Sequence, residues 1–135
     1  MKTVKTLIER ASDGSYSVYM KNPDELPYGL IGVGDSVSQA INDWNTSYHE
    51  MQELLTANGE DFVEANFTFS YDVPSFLAYY GGLLTFKGLA KLTGVSAAQL
   101  SQYATGYRNP SPKTTAKIQA GLHAFASDLA QVTLI

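Results

Sequence analysis

The stretch from Thr85 to Ile118, TFKGLAKLTGVSAAQLSQYATGYRNPSPKTTAKI, most narrows how this chain folds. Leu89 and Ala90 fall on the inner face of a short helix. Gly94 stands four residues after Ala90, where a tight turn requires the positive φ that glycine adopts at little steric cost. Val95 fills the corner. Ser96 is a favourable N-cap for a second helix, because its hydroxyl accepts one of the backbone N–H groups that the first turn leaves unpaired. Leu100 and Tyr103 then recur at i and i+3, facing back into the same core. Ala90 is small for a reason: two helices crossing over a short turn bring their backbones close, and a bulky side chain would hold them apart. The segment predicts a helix-turn-helix with the start of a supporting helix behind it.

The outer face of the second helix is Ala97, Ala98, Ser101, Gln102 and Thr105, which is polar, short and uncharged. Such a face suits the floor of a DNA major groove, with Gln102 against an adenine edge and the alanines against thymine methyls. The helix is followed by Gly106-Tyr107-Arg108-Asn109-Pro110-Ser111 and then by Thr114 to His123. From about Pro74 to Leu129 the chain resembles the Cro/repressor-like (Xre-type) helix-turn-helix family, whose second helix is commonly followed by glycine, a basic residue, Asn-Pro-Ser and a further helix. The resemblance implies that Ala97, Ala98 and Gln102 face bases and that Arg108 and Asn109 lie near phosphates. The family often carries a glutamine that touches a phosphate beside the threonine opening the first motif helix. This chain has Phe86 there, with Thr85 and Lys87 as the available replacements. Ser96, Ser101, Thr105, Tyr107 and Lys113 complete the candidate DNA-binding set.

Charge divides the chain. Residues 1–80 hold four basic and twelve acidic side chains, a net of −8; residues 81–135 hold five basic side chains against Asp128 alone, a net of +4. The basic half would be drawn to phosphates, and the acidic half to a basic partner. Five basic residues per copy is a thin footprint for DNA, so a homo-oligomer, dimer or tetramer, is expected to double the phosphate contacts.

The first half reads as three strands, a helix and a strand. Val4, Thr6 and Ile8 alternate with Lys5, Leu7 and Glu9; Asp13-Gly14 marks a hairpin turn; Tyr16, Val18 and Met20 continue the inward face; a short third strand is expected within residues 28–33. Ser36 and Gln39 form a capping box that opens a helix to about Ala57. Its stripe is Val37, Ala40, Ile41, Trp44, Tyr48, Met51 and Leu55, and Asn58-Gly59 ends it. Phe67, Phe69, Tyr71 and Val73 then alternate as a half-buried strand. The fold class expected is α+β: a small antiparallel sheet with one helix over residues 1–73, then an all-α helix-turn-helix domain over 74–135.

With its Thr3–Met20 strand pair, its 22–34 loop containing Pro27, and Gly34-Asp35-Ser36-Val37 leading into a helix with Gln39-Ala40, the first half resembles the N-terminal domain of HicB-type antitoxins. That family's domain is a partial, degraded RNase H-like fold. The resemblance implies a toxin-binding and oligomerisation domain, and a protein that masks a small basic HicA-like mRNA-cleaving toxin while repressing their shared operon. The alternative is a small-molecule-responsive or phage-type transcription regulator without a toxin.

An enzyme is not expected. The acids that a divalent-metal nuclease would need are Glu9, Asp13, Asp35, Glu50 and Asp72, but Asp13 reads as a turn residue and Asp35 and Asp72 as helix-terminus partners. His49 and His123 lack a neighbouring nucleophile or orienting acid. No nucleotide or metal motif is present, so no cofactor or metal is expected. Tyr103 and one of Tyr79 or Tyr80 are assigned to core periods in preference to a base-stacking platform. The absence of cysteine removes disulfides, and no run of residues is apolar enough to span a bilayer; a cytoplasmic chain with no membrane partner is expected.

Overall fold

A computed structural model describes all residues, Met1–Ile135. The elements in chain order are β1 (Lys2–Arg10), β2 (Tyr16–Met20), β3 (Ile31–Gly34), α1 (Val37–Ala57), β4 (Ala65–Tyr71), α2 (Val73–Tyr80), α3 (Phe86–Thr93), α4 (Ala97–Thr105) and α5 (Pro112–Ala130). The chain divides into two compact units, Met1–Asp72 and Val73–Ile135, each with its own apolar core. The class is α+β.

In the first unit the strand order is β3-β2-β1-β4. The β1–β2 turn forms because Gly14 takes φ 87° and the Asp13 carboxylate accepts from both the backbone N–H and the hydroxyl of Ser15. These two hydrogen bonds hold the Asp13 carboxyl below its usual range. The alternation in β1 holds: Val4, Thr6 and Ile8 are buried, with Thr6 satisfied by the Thr68 carbonyl at 2.8 Å. The sheet, however, is mixed and not antiparallel. β1 pairs antiparallel with β2, and β2 with β3, but β4 lies parallel to β1, Val4 opposite Phe67. The reason is the intervening helix. α1 carries the chain back along the sheet, so β4 runs in the same direction as β3 and β1 and takes the free edge of β1. The last strand also stops at Tyr71; Val73 opens α2 and packs into the core of the second unit.

Helix α1 starts where Ser36 accepts the Gln39 N–H at 3.1 Å. The reciprocal arm goes one residue further back than a capping box requires: Gln39 Oε1 accepts from the N–H of Asp35 at 2.9 Å. The helix lies almost on the backbone of β3, because Gly32 and Gly34 offer no side chain to hold it off. A Cβ on Gly32 would sit 2.3 Å from the Ala40 carbonyl oxygen. Gly32 and Gly34 are thus strand residues and the floor of a helix contact. The approach brings Asp43 and Ser47 over the outer edge of β3. Asp43 accepts the Val33 N–H at 2.8 Å and Ser47 donates to the Ile31 carbonyl at 3.1 Å. That edge is therefore closed to another strand. Val37, Ala40 and Trp44 are buried, and the Trp44 ring meets Phe67 edge-on at 5.1 Å. The indole N–H of Trp44 has no acceptor, a cost of about 1–3 kcal/mol that the surrounding apolar burial offsets.

The second unit is four helices around Leu77, Leu89, Val95, Leu100, Tyr103 and Ile118. Gly121 lets α5 press on the end of α3.

Candidate nucleic-acid interface

Helix α3 begins at Thr85, whose hydroxyl accepts the Gly88 N–H at 3.0 Å, and ends at Gly94, which takes φ 73°. Thr93 is buried, donates to the Leu89 carbonyl at 2.7 Å and accepts the Val95 N–H, which ties the turn together. Ser96 then opens α4 with both arms of a capping box. It accepts the Gln99 N–H at 3.1 Å while Gln99 Oε1 accepts the Ser96 N–H at 3.3 Å. The turn is further held from α5, where the Lys117 ammonium donates to the Gly94 carbonyl at 3.3 Å.

With Leu100 and Tyr103 buried, α4 turns Ala98, Ser101 and Thr105 to solvent, with Gln102 half-buried beside them and Ala97 half-buried at the helix start. Steps of three and four residues put Ala98, Ser101, Gln102 and Thr105 on one side of the helix. The helix stops at Gly106, φ 78°, and the chain turns back so that the Arg108 N–H donates to the Gln102 carbonyl at 3.3 Å. That bond anchors the Tyr107–Asn109 loop to the end of α4. Tyr107 is 75% exposed, and Arg108 and Asn109 are also exposed. Ser111 caps α5 through the Thr114 N–H, with Pro112 in the first turn and Lys113 exposed next to it.

The candidate residues thus gather on α4, the loop after it, and the starts of α3 and α5. Two have a structural duty as well: Thr85 and Ser96 spend their hydroxyls on caps. Lys87 is exposed on the first turn of α3, while Phe86 is half-buried against the core of the unit. Packing, then, occupies the position where the related motif carries a phosphate-touching glutamine. Tyr103 is a core residue and Tyr79 is 40% exposed. Lys117 was counted from the sequence only as positive charge; its role in closing the turn had no local signal, since its partner lies 23 residues away.

The five basic side chains of this unit face only one carboxylate, Asp128, late in α5. The exposed cations Lys87, Arg108 and Lys113 lie on the elements that precede and follow α4, whose own outer face is uncharged. In the first unit, no group of three histidine, aspartate or glutamate side chains comes together in a way that could hold a metal ion. No helix is long and apolar enough to cross a membrane.

The helix-turn-helix family model matches residues 84–123, the segment from the end of the α2–α3 connection through most of α5. The match supports a DNA-binding transcription regulator. No curated protein and no solved structure matches the chain.

Proposed function

We propose that this chain is the antitoxin of a toxin–antitoxin pair. Its unit Met1–Asp72 neutralises a small basic HicA-like mRNA-cleaving toxin, and its unit Val73–Ile135 represses the operon that encodes both. One observation carries the reading: an acidic βββαβ unit is joined to a basic helix-turn-helix unit. Repression is an act of binding. The α4 face enters the major groove, Ala97, Ala98 and Gln102 read base edges, and Lys87, Arg108, Asn109 and Lys113 hold the backbone. Two copies set two such helices into successive grooves about 34 Å apart.

The toxin half is tested by coexpressing the short neighbouring reading frame and assaying the purified product for RNA cleavage. A stable complex that suppresses cleavage is expected. A chain that binds its own promoter, copurifies with no such protein, and changes operator affinity with a small metabolite would instead be a ligand-responsive regulator.

Two substitutions separate positioning from base reading on the DNA side. Arg108→Ala is expected to weaken binding about equally on every sequence and to reduce the slope of log affinity against log salt by about one unit. Gln102→Ala is expected to leave that slope alone and to relax preference at one base position, by roughly 1–3 kcal/mol. Titrations of both variants on operator and scrambled duplexes at three salt concentrations check this. Identical behaviour of the two would contradict the assigned roles.

A further inference from the structure

Of the two edge strands of the sheet, β3 is closed by the Asp43 and Ser47 side chains and β4 is not. Two hydrogen bonds fix which way the main chain of β4 points. The Thr68 carbonyl accepts from the Thr6 hydroxyl at 2.8 Å, so Thr68 turns its backbone groups toward β1. The Ala65 N–H, three residues earlier and therefore on the other side, donates to the Tyr48 hydroxyl at 3.0 Å. Successive residues of a strand alternate in this respect, so Phe67 and Phe69 direct their N–H and C=O groups out of the sheet. Helix α1 packs chiefly on β3 and β2, toward the opposite edge. Natural edges are blunted by charge, proline, a bulge or short length. Strand β4 has none of these. Its seven residues, ANFTFSY, are uncharged and without proline, and they keep unbroken register with β1 from Ala65 to Tyr71. Their side chains alternate: Phe67 and Phe69 are half-buried against the core, while Asn66, Thr68 and Ser70 are exposed.

Charge around the strand selects the occupant. The segment leading into β4 carries Glu60, Asp61 and Glu64, all exposed, against Lys2 on the neighbouring strand, a net of −2. At the far end Glu9 and Asp72 stand against Arg10, a net of −1. Lys5, next to Thr68 in register, lies between the two ends. A two-fold contact of β4 with its own copy is antiparallel, and it would set −2 against −1 at both ends. A strand from a basic protein meets attraction there instead. We propose that the toxin docks by adding one of its own strands to the outer edge of β4, a strand of alternating apolar and polar residues with Lys or Arg at the end beside residues 60–64. This rests on the toxin–antitoxin reading above and adds the surface and form of the contact. Main-chain hydrogen bonds to Phe67 and Phe69 supply the attachment, and apolar side chains over the two phenylalanines supply the fit. The acidic segment draws the basic partner in and sets the direction of its strand.

Amide hydrogen exchange on the full chain tests it, alone and in complex with the coexpressed product of the neighbouring reading frame. In the free chain the Thr68 N–H, directed at β1, is expected to exchange slowly and those of Phe67 and Phe69 fast. In the complex the Phe67 and Phe69 groups are expected to slow to the rate of Thr68, while the Val33 N–H, held by Asp43, keeps its rate. Phe69→Pro removes one outward donor without touching the ladder to β1 and is expected to abolish copurification; Phe69→Val keeps the donor and is expected to retain it. Glu60→Lys with Glu64→Lys is expected to weaken the complex about tenfold at low salt, with the loss shrinking as salt is added. Circular dichroism and Trp44 emission establish that the variants are folded, and if Phe69→Pro is not, exchange in the wild type decides. Absence of any wild-type complex overturns the toxin reading and this docking with it. A complex that leaves Phe67 and Phe69 exchanging fast, survives a folded Phe69→Pro, or is unmoved by the charge reversals overturns the edge contact alone, and the toxin reading stands. Slow exchange of both groups in the free chain, relieved by dilution, would assign the edge to a second copy and also overturns the proposal.

Discussion

Gly121→Ala is expected to destabilise the helical unit by about 2–4 kcal/mol and to remove DNA binding at temperatures where the wild type still binds. Gly121 lies in the middle of α5, where helix propensity alone favours alanine by about 1 kcal/mol. Packing reverses the sign. A Cβ there would lie 2.4 Å from the Leu92 carbonyl oxygen and 2.8 Å from the Thr93 Cα. Both are backbone atoms at the end of α3, so no side-chain rotation relieves the clash, and α5 must move away from the turn it supports. The movement also draws Lys117 from the Gly94 carbonyl, which loosens the step into α4. A unit of this size has only a few kcal/mol of stability to lose. The measurement is thermal unfolding by far-ultraviolet circular dichroism, with a fall in midpoint of roughly 10 °C or more, alongside an operator titration. An unchanged or raised midpoint would show that α5 and α3 are not in this close contact.

Gly32→Ala is expected to have a comparable effect on the other unit, again against local preference, since glycine weakens a strand interior. The added Cβ would meet the Ala40 carbonyl oxygen at 2.3 Å, the Trp44 N at 2.7 Å and the Trp44 Cβ at 2.8 Å. Helix α1 must lift from β3, which loosens the Asp43 and Ser47 bonds to the strand edge and opens the packing around Trp44. The expected cost is about 2–4 kcal/mol, with added exposure of a strand edge that is otherwise closed. The chain's one tryptophan makes the readout specific, because Trp44 is fully buried in this unit. Its emission should shift to the red at lower denaturant in Gly32→Ala and stay in place in Gly121→Ala. The opposite pattern would mean that the two glycines do not act within their own units.

What was legible in the sequence is what short-range chemistry writes there. The helix-turn-helix was readable because Gly94, Ser96 and Gly106 each satisfy a backbone requirement within a few residues of themselves. The alternation in β1 was readable because one face is buried and the other is not. The S-x-x-Q spacing that marks the start of α1 recurs at Ser96–Gln99, where the expectation was the Ser96 cap alone and the structure adds the Gln99 arm. The site was legible to the same depth. The sequence separates the inward Leu100 and Tyr103 from the outward Ala98, Ser101 and Thr105, but it does not show that Thr85 and Ser96 are engaged as caps or that Phe86 turns inward.

The sequence by itself determined where turns and helix ends fall, which side of each element is apolar, and how charge divides along the chain. Each of these follows from a residue's own conformational range or from neighbours three or four positions away. Only the tertiary structure decided that β4 joins β1 in parallel, that Gly32 and Gly121 are points of backbone contact, and that Lys117 closes the turn before α4. Those features arise between segments 8 to 60 or more residues apart. Which strand edge is free, and which glycine lies under a helix, depends on where the whole chain has gone and on no local preference.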